Sequence, residues 1–395
     1  MKNIRLVLAM LIVALAFAAC KKDIVDNPND AEYTTDLQQF EAVWNGINTC
    51  YVLWPIDTTD WDAVYRKYYP IFADMDDKPW LEWYEAWEGV ASTLIDHHMS
   101  ISLRRTPKEG MSDLDLFIFD PGFNEVKSRE YYHESKTYFD YQRMLKRYVN
   151  DGRLTDSYNV YYDFNYENCY AGVLDGCIAY IHITSFQSNL DSIASFQHFR
   201  ELVVREDVKA AIIDVRDNRG GKTANLEREL ACFTSEPTLV GYQQNKIGLG
   251  RYELSPTVPV YAYPNTASHC QNKDIPVVVL VDVNSASMSE STAIAFKSLP
   301  QSFVVGERTF GAFCTLNNNF DYLYSGTFGA AGQSHYVKMA KFLCTGPDSV
   351  CYEGIGVIPD KECFFDSSEW ANGVDNQLEC AISFAKDKIA ENRNR

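Results

Sequence analysis

The segment at 275–283 (IPVVVLVDV) constrains the fold of this chain most, because nearly all of its residues are apolar and most are β-branched. A strand without polar alternation is buried on both faces, which is typical of a parallel sheet covered by helices. The segment leads through Asn-Ser-Ala-Ser into a helical pattern that runs to about residue 298. Further strand and helix patterns alternate at 177–183, 193–204, 208–215, 225–233 and 303–306. This alternation predicts an α/β core of βαβ units with a largely parallel sheet.

The N-terminal part of the chain has a helical pattern instead. Apolar residues between 36 and 103 recur at spacings of three and four, and the first group is Phe40, Val43, Trp44, Ile47 and Tyr51. An aromatic stripe at this spacing is more often a buried core than a ligand-binding face, and we interpret it as core. Residues 106–170 mix proline, glycine, charged residues and tyrosine. We therefore predict a helical domain at 33–105, a small mixed or β-rich insert at 106–170, the α/β core at 171–365 and a C-terminal helix at 366–395.

Residues 1–19 are predicted to be a signal peptide. Lys2 and Arg5 precede fourteen apolar residues at 6–19, a run that suits a signal-peptide core better than a transmembrane helix. The ending Phe-Ala-Ala-Cys resembles a bacterial lipoprotein signal, in which Cys20 becomes the first mature residue and carries the lipid. A secretory signal cleaved just before this cysteine is the alternative. We expect a lipid-anchored linker at 20–32 and a protein held at the bacterial cell envelope, on the outer membrane.

Charge and cysteine content restrict the expected partners. The 395 residues include 36 basic and 54 acidic side chains, a net charge of −18, so nucleic acid is not an expected partner. The chain has 11 cysteines. If it is exported, those other than Cys20 meet a compartment in which disulfides can form. Cys344 and Cys351 flank a turn-like stretch between two strand-like runs, and we predict a disulfide between them. The sequence has no Cys or His spacing typical of zinc, and we expect neither a metal nor a cofactor.

Two loops that follow predicted strands contain residues suited to catalysis. The sequence at 284–290 (NSASMSE) places serines at a helix N-terminus, where free backbone N–H groups stabilise negative charge. A serine there can attack a carbonyl while amides hold the oxyanion, but serines are also ordinary helix N-caps. The sequence at 214–221 (DVRDNRGG) ends in paired glycines, which either form a tight turn or expose N–H groups to a ligand. Taken singly, each loop leaves both interpretations open.

Together and in this order, four stretches resemble the tail-specific, or carboxy-terminal processing, serine protease family. They are 172–186 (GVLDGCIAYIHITSF), 210–221 (AAIIDVRDNRGG), 276–311 (PVVVLVDVNSASMSE through VVGERTFG) and 353–360 (EGIGVIPD). The resemblance covers about half of the chain. It implies a Clp/crotonase-like protease core at 171–365 and hydrolysis of peptide bonds. The family often carries a peptide-binding PDZ domain between its N-terminal region and its core, and residues 104–170 show no recognisable trace of that domain.

The resemblance also implies roles for individual residues. Ser287 matches the nucleophile of the family, and Ser285 and Ser289 are the local alternatives. The amides that match the oxyanion hole are those of Met288 and of Gly220 or Gly221. In this interpretation the serine attacks a peptide carbonyl and the two amides bind the oxyanion.

The chain differs from the best-known members of the family in its general base. Those members use the lysine of Thr-Phe-Gly-Lys, whereas this chain has Ala312 at that position, and alanine cannot accept a proton. The branch typified by the tricorn core protease uses a histidine. The motif at 94–101 (LIDHHMSI) resembles that branch and implies His98 as the base, supported by Glu353 through an intervening hydroxyl. His97 stands where the tricorn type has serine, and a histidine pair favoured by a helix C-terminus is the alternative.

These matches define the expected function. We expect a serine-type endopeptidase or carboxy-terminal processing peptidase of the bacterial envelope that acts on polypeptides or oligopeptides. The alternative, which the missing lysine and the high aromatic content motivate, is a catalytically inactive lipoprotein that binds peptides or glycans on a protease scaffold. The enzyme requires His98 close to Ser287, and the binding protein does not.

Overall fold

The computed structural model of the chain describes residues 33–105, 116–158, 169–264, 274–316, 324–329 and 334–393. The predicted signal peptide, Cys20 and the linker at 20–32 lie outside these residues. Within the described residues, no helix is both long enough and apolar enough to cross a membrane.

The described residues form ten α-helices and fourteen strands. The helices are α1 (Asp36–Cys50), α2 (Trp61–Ala73), α3 (Trp80–Ala91), α4 (Pro121–Lys127), α5 (Tyr138–Asn150), α6 (Ala194–Val203), α7 (Asn225–Leu230), α8 (Met288–Lys297), α9 (Ser367–Ala371) and α10 (Asn376–Arg393). The strands are β1 (Ser100–Arg104), β2 (Leu116–Phe119), β3 (Leu154–Tyr158), β4 (Cys169–Leu174), β5 (Ile178–Ile183), β6 (Ala210–Asp214), β7 (Thr238–Asn245), β8 (Val258–Ala262), β9 (Val277–Val281), β10 (Ser302–Gly306), β11 (Phe328–Gly329), β12 (His335–Lys338), β13 (Phe342–Thr345) and β14 (Lys361–Glu362).

Helices α1, α2 and α3 pack through aromatic side chains. The rings of Phe40 and Phe72 stack with centroids 4.6 Å apart. Trp44 and Trp61 each donate the indole N–H to the backbone carbonyl oxygen of the other, at 3.0 and 3.1 Å. Phe40, Phe72 and Trp61 are buried, which confirms the interpretation of the N-terminal aromatic stripe as core.

The central sheet has seven strands in the order β14-β10-β9-β6-β5-β4-β3. The five strands from β14 to β5 are parallel, as the alternating pattern predicts. Strands β4 and β3 continue the sheet in antiparallel fashion, and β4 and β5 form a hairpin. The prediction of an α/β core with βαβ units is therefore confirmed, with an antiparallel addition at one edge.

Helices cover both faces of the central sheet. On one face, α6 packs on β4 and β5, and α8 packs on β9 and β10, against side chains such as Ile181, Ile213 and Val279. On the other face, α5 and α10 pack against side chains such as Tyr180, Ile212 and Val278. The alternation of these neighbouring residues between two apolar layers explains why the strand sequences lack polar alternation.

Two smaller antiparallel sheets flank this core. One has the order β11-β12-β1-β2 and the other has the order β13-β7-β8. The described part of the predicted insert at 106–170 contains α4, α5, β2 and β3. Its two strands belong to different sheets, so the described part of this segment is mixed rather than a separate β-unit.

The predicted disulfide between Cys344 and Cys351 is not formed, and both residues are free thiols. Cys344 lies in β13, which pairs with β7, while the sulfur of Cys351 lies 3.8 Å from that of Cys314. The disulfide instead joins Cys363, just after β14, to Cys380 in α10. This pairing depends on the packing of α10 on the sheet, which local spacing does not reveal.

A buried acid between α7 and α8 makes stability depend on pH. The Oε2 atom of Glu229 accepts a hydrogen bond from the Thr292 hydroxyl at 2.8 Å, and Oε1 has no partner among the described residues. Burial raises the pKa of Glu229 from 4.5 to about 8. Because the folded protein holds this proton while the unfolded chain loses it, the stability contributed by the neutral acid declines as pH rises from about 5 to 9.

The substitution Glu229→Gln should remove this dependence, because the amide cannot ionise. We expect wild type and variant to be of similar stability at pH 5 and the variant to be more stable at pH 9 by roughly 2–4 kcal/mol. Urea unfolding of both proteins across this range measures the difference, in which the titration of all other groups cancels. Parallel stability curves for the two proteins would contradict a neutral Glu229.

Candidate active site

Ser287 occupies the turn between β9 and α8, at the carboxyl edge of the parallel strands, where open α/β sheets bind ligands. The turn starts at Asp282, whose Oδ1 accepts the backbone N–H of Asp217 from the loop after β6. Ser287 has a φ of +58°, a conformation that is unfavourable for a residue with a side chain. Its backbone N–H is held by two acceptors at 3.0 Å, the carbonyl oxygen of Ala312 and Oε2 of Glu290.

The three serines of this loop have different surroundings. Ser285 is fully buried, and its hydroxyl donates to the carbonyl oxygen of Val215 at 2.8 Å. Ser289 is also fully buried, and its hydroxyl donates to the carbonyl oxygen of Asn218 at 2.8 Å. Ser287 instead lines a cavity. Of the three, Ser287 is therefore the one placed to meet a ligand.

The buried carboxylate of Glu290 joins the start of α8 to the segment that follows β10. Besides the Ser287 amide, Oε2 accepts the backbone N–H of Ala312 at 2.8 Å. Oε1 accepts the backbone N–H of Gly311 at 2.9 Å and the hydroxyl of Thr309 at 2.6 Å. Burial raises the pKa of Glu290 to about 7. The segment clamped in this way is the one that has Ala312 where the family resemblance expects lysine.

The paired glycines after β6 approach the same turn. Gly220 has a φ of +91°, and a Cβ added to it would lie 2.6 Å from Cβ of Ser287 and 2.7 Å from the nitrogen of Met288. Only glycine therefore leaves the Met288 N–H open to a ligand. The N–H of Gly220 is occupied, because it donates to Oδ1 of Asn218 at 2.8 Å. Of the two glycine amides considered from the sequence, Gly221 is the better candidate to act with Met288.

His98 lies between α3 and β1 and lines the same cavity as Ser287. Its backbone N–H donates to Oδ1 of Asp96 at 2.8 Å. Its ring Nδ1 lies 3.8 Å from Oε2 of Glu353, which is longer than a hydrogen bond. Burial lowers the pKa of His98 below its usual 6.5. The ring is therefore neutral at pH 7 and can accept a proton.

Glu353 is fully buried behind His98. Its Oε1 accepts the backbone N–H of His97 at 2.8 Å, and its Oε2 accepts the backbone N–H of Cys314. Burial raises the pKa of Glu353 to about 8, and burial together with the nearby Glu353 raises the pKa of Asp96 to about 7. Two buried acids thus flank one imidazole.

Asp96, His98 and Glu353 are also the residues that come nearest to a metal site. Their ligand atoms all lie within 4.8 Å of one another, and no other group of three such side chains in the described residues does so. Each carboxylate oxygen already accepts a backbone N–H, including that of Ala340 on Oδ2 of Asp96 at 2.8 Å. The four oxygens of the two buried acids thus already have hydrogen-bond donors from the protein, and we assign no metal to the group.

His97 is held by other partners. Its Nδ1 lies 2.9 Å from the carbonyl oxygen of Phe310, and its Nε2 lies 3.8 Å from Oε2 of Glu125. Burial lowers the pKa of His97 as well. Both histidines line the cavity, but Glu353 faces the ring of His98 and contacts only the backbone of His97.

The cavity has a volume of about 330 Å³. The described residues that line it are His97, His98, Asp120, Phe123, Arg219, Ala286, Ser287, Phe310 and Ala312. A hydroxyl and a neutral imidazole that share one cavity, with backbone amides at the adjoining helix start and glycine turn, are the parts that acyl transfer requires. The structure thus brings Ser287, His98, Glu353, Met288 and the paired glycines into one neighbourhood.

The sequence alone does not indicate roles for Glu290, Asp96 or Arg219. Glu290 has a detectable signal, because a Glu three residues after a Ser at a helix start is a capping-box pattern. Asp96 and Arg219 lie inside the two motifs already identified, but nothing local indicates what their side chains contact. Their positions become evident only when segments from distant parts of the chain are packed together.

Comparisons with known proteins support the family resemblance of the sequence. Residues 177–363 match the sequence model of the family described as Peptidase family S41. Carboxyl-terminal-processing peptidase 3, chloroplastic, of Arabidopsis thaliana is 29% identical over 199 residues, which are 48% of this chain and 33% of that protein. Nisin-resistance protein of Lactococcus lactis subsp. lactis is 26% identical over 158 residues, 39% of this chain and 49% of that protein. The matches thus span half the length of these relatives or less.

Solved structures resemble a larger part of the chain. A candidate peptidase from Parabacteroides merdae is 23% identical, with a TM-score of 0.64, and the match covers 89% of this chain and 97% of that one. Mature CPAF is 12% identical, with a TM-score of 0.60, and the match covers 90% of this chain and 98% of that one. These similarities concern the fold, including the helical N-terminal region that precedes the core.

Replacing Gly220 with alanine tests the geometry of the turn. The added Cβ would press on Ser287 and cover the Met288 N–H, so we expect Gly220→Ala to slow the reaction of Ser287 with a fluorophosphonate about 100-fold. The matched control is Gly176→Ala, because Gly176 also has a positive φ but an added Cβ there would meet no atom within 4 Å. The control should lose a little stability and keep its labelling rate. Labelling of Gly220→Ala at the wild-type rate would show that the Met288 amide plays no part.

Proposed function

Since residues 177–363 form a domain of peptidase family S41, we propose that the chain is a serine peptidase with Ser287 as nucleophile and His98 as general base. The main support is that these two residues, far apart in the sequence, line one cavity. The inactive binding protein considered above does not require that placement. The shared cavity therefore favours the enzyme over the binding protein.

The proposed reaction proceeds by acyl transfer. The Ser287 hydroxyl attacks a peptide carbonyl while His98 takes the hydroxyl proton, and the amides of Met288 and Gly221 donate to the oxyanion. His98 then gives the proton to the departing amine, and an acyl-enzyme on Ser287 remains. Water attacks the acyl-enzyme with His98 again as base, which releases the carboxylic acid and restores the serine.

Glu353 and Asp96 act as positioning residues for His98. Because Nδ1 of His98 faces Glu353, the other ring nitrogen, Nε2, is the one available to Ser287. Because the pKa of Glu353 is raised to about 8, its carboxyl group is mostly neutral at pH 7, and it acts by its position beside Nδ1 rather than by a fixed negative charge. The backbone hydrogen bond from His98 to Asp96 fixes the start of the loop that carries the ring. The residue before His98 is His97 rather than the serine of the tricorn type, so this position supplies no hydroxyl between base and acid.

A second cavity next to the site supports a polypeptide substrate. It has a volume of about 340 Å³ and lies between α7, α8 and the β13-β7-β8 sheet. Its apolar lining includes Leu226, Val240, Val260, Ala262, Met288 and Phe313. Because Met288 follows Ser287 directly, a peptide bound at Ser287 would place a neighbouring side chain in this cavity. We propose that apolar side chains are preferred there.

The proposed setting is the bacterial envelope. The predicted signal peptide and the lipid on Cys20 would hold the peptidase at a membrane, where polypeptides or oligopeptides would be its substrates. The name of the chloroplast relative, a carboxyl-terminal-processing peptidase, supports action near polypeptide C-termini.

The first test of the function is Ser287→Ala, which removes the proposed nucleophile. We expect peptidase activity to fall at least about 1,000-fold and fluorophosphonate labelling to disappear. Ser298→Ala, at the opposite end of α8, is the matched control and should behave as wild type. Labelling that persists in Ser287→Ala would place the nucleophile elsewhere.

The second test compares the two histidines. His98→Gln should lower kcat at least about 100-fold, because it removes the proposed base, whereas His97→Gln should cost far less, because the His97 ring faces Phe310 and Glu125. Because burial lowers the pKa of His98, the acid limb of the wild-type kcat/KM profile should lie below pH 6.5. A larger loss in the His97 variant than in the His98 variant would reverse the assignment of the base.

A further inference from the structure

Arg219 is the permanent cation among the described residues that line the Ser287 cavity. It directly precedes Gly220, where an added Cβ would clash with Ser287 and with the Met288 nitrogen. The proposed peptidase mechanism does not use its side chain. A guanidinium this close to the nucleophile therefore needs a separate explanation.

Uncharged groups hold the guanidinium in place. Its Nη2 donates to Oδ1 of Asn284 at 2.8 Å and, more weakly, to the hydroxyl of Ser135 at 3.4 Å. The Cζ atom lies 4.7 Å from the ring centroid of Phe310 and 5.7 Å from that of Phe123, as in cation–π contacts. These contacts order the Arg219 side chain before a ligand binds, so binding costs little of its conformational entropy.

Within the described part of the chain, Arg219 forms no salt bridge, and Asp120 interacts with its charge only at longer range. Among the described residues, no carboxylate oxygen lies within 4.0 Å of its guanidinium, and Nε and Nη1 donate to no acceptor. The acid that shares the cavity, Asp120, accepts the backbone N–H of Phe123 as the N-cap of α4. An ordered guanidinium with two free donor nitrogens is suited to a carboxylate, which it binds with charge-assisted hydrogen bonds.

The overall charge of the protein makes such a local cation useful. With a net charge of −18, the protein repels anionic peptides at long range. Both histidines of the cavity have lowered pKa values and are neutral at pH 7, so they do not offset this repulsion. Arg219 supplies a positive charge at the point where a bound peptide meets Ser287.

We propose that Arg219 is a specificity residue that binds a carboxylate of the peptide substrate close to the scissile bond. The carboxylate is either the free C-terminus of the peptide or an Asp or Glu side chain, since both present the same chemistry to a guanidinium. This inference rests on the proposed function of the site. It adds that the enzyme selects peptides by a negative charge at a defined distance from the cleaved bond.

Three fluorogenic peptides and the variant Arg219→Gln test the proposal. One peptide has a Glu next to the scissile bond and a free C-terminus, the second has an amidated C-terminus, and the third has Gln in place of Glu. We expect Arg219→Gln to lower kcat/KM for the first peptide about 10- to 100-fold, mainly through KM. The peptide that has lost the recognised carboxylate should be a poorer substrate for wild type by a similar factor and be unaffected by the substitution. That peptide identifies the source of the carboxylate.

Two further variants show whether the effect is specific. Lys127→Gln removes the same charge from a lysine that lies 4.4 Å from the Phe123 ring but does not line the cavity, and it should change kcat/KM by less than about twofold. Arg219→Lys should retain part of the preference, because it keeps the charge but lacks the planar fork. An equal loss of activity on all three peptides, or no loss on any, would overturn the proposal.

Binding measurements separate this proposal from the peptidase assignment. The same peptides can be titrated calorimetrically into Ser287→Ala and into Ser287→Ala with Arg219→Gln, where no turnover is needed. We expect the weaker binding of the carboxylate peptide to appear there too, and no difference between the two proteins for the peptide that has lost the recognised carboxylate. If wild type neither cleaves nor is labelled, the peptidase function fails, and a charge-dependent difference in binding would still support Arg219.

Discussion

The geometry of the site depends on the buried carboxylate of Glu290. It accepts hydrogen bonds from Ser287, Gly311 and Ala312 and from the hydroxyl of Thr309. One acceptor group thus satisfies the start of α8 and the turn after β10 together. Ser287 is held in an unfavourable backbone conformation, and the hydrogen bonds to its N–H, with those that fix the facing segment, offset the cost. Without this acid, several buried backbone amides would lack partners.

A second buried network positions the glycine turn. Arg216 is fully buried between Asp214, at the end of β6, and Asp375, just before α10, with N–O distances of 2.7 and 2.8 Å. Removal of one partner would leave an uncompensated charge in the core. The network therefore fixes how these three side chains are arranged, even where its net contribution to stability is small. Since Gly220 follows closely in the chain, the network fixes where the turn leaves the sheet and how near it passes to Ser287.

The sequence predicts the parallel core well because its signals are local. The apolar runs locate β5, β6 and β9 to within a few residues, since strands buried on both faces have no polar alternation to obscure them. The smaller sheets were not predicted, because their pairings join distant segments, as when Ser100 of β1 pairs with Lys338 of β12. The disulfide prediction failed for the same reason, since the observed bridge links a strand end to a helix that packs beside it.

In the candidate site, too, residues with a local sequence signal were predictable, and residues placed by the packing of distant segments were not. Ser287 and the paired glycines stand out because strand ends and helix starts have recognisable chemistry, and His98 was reached through a resemblance rather than through its own spacing. The absence of lysine at Ala312 has a physical counterpart in the structure. Ala312 packs in a small apolar cluster with Phe310 and Ala286, and backbone amides, not a cation, satisfy the acids Glu290 and Glu353. With alanine at this position, the cavity offers two neutral histidines as proton acceptors, of which His98 is the base that we propose for Ser287.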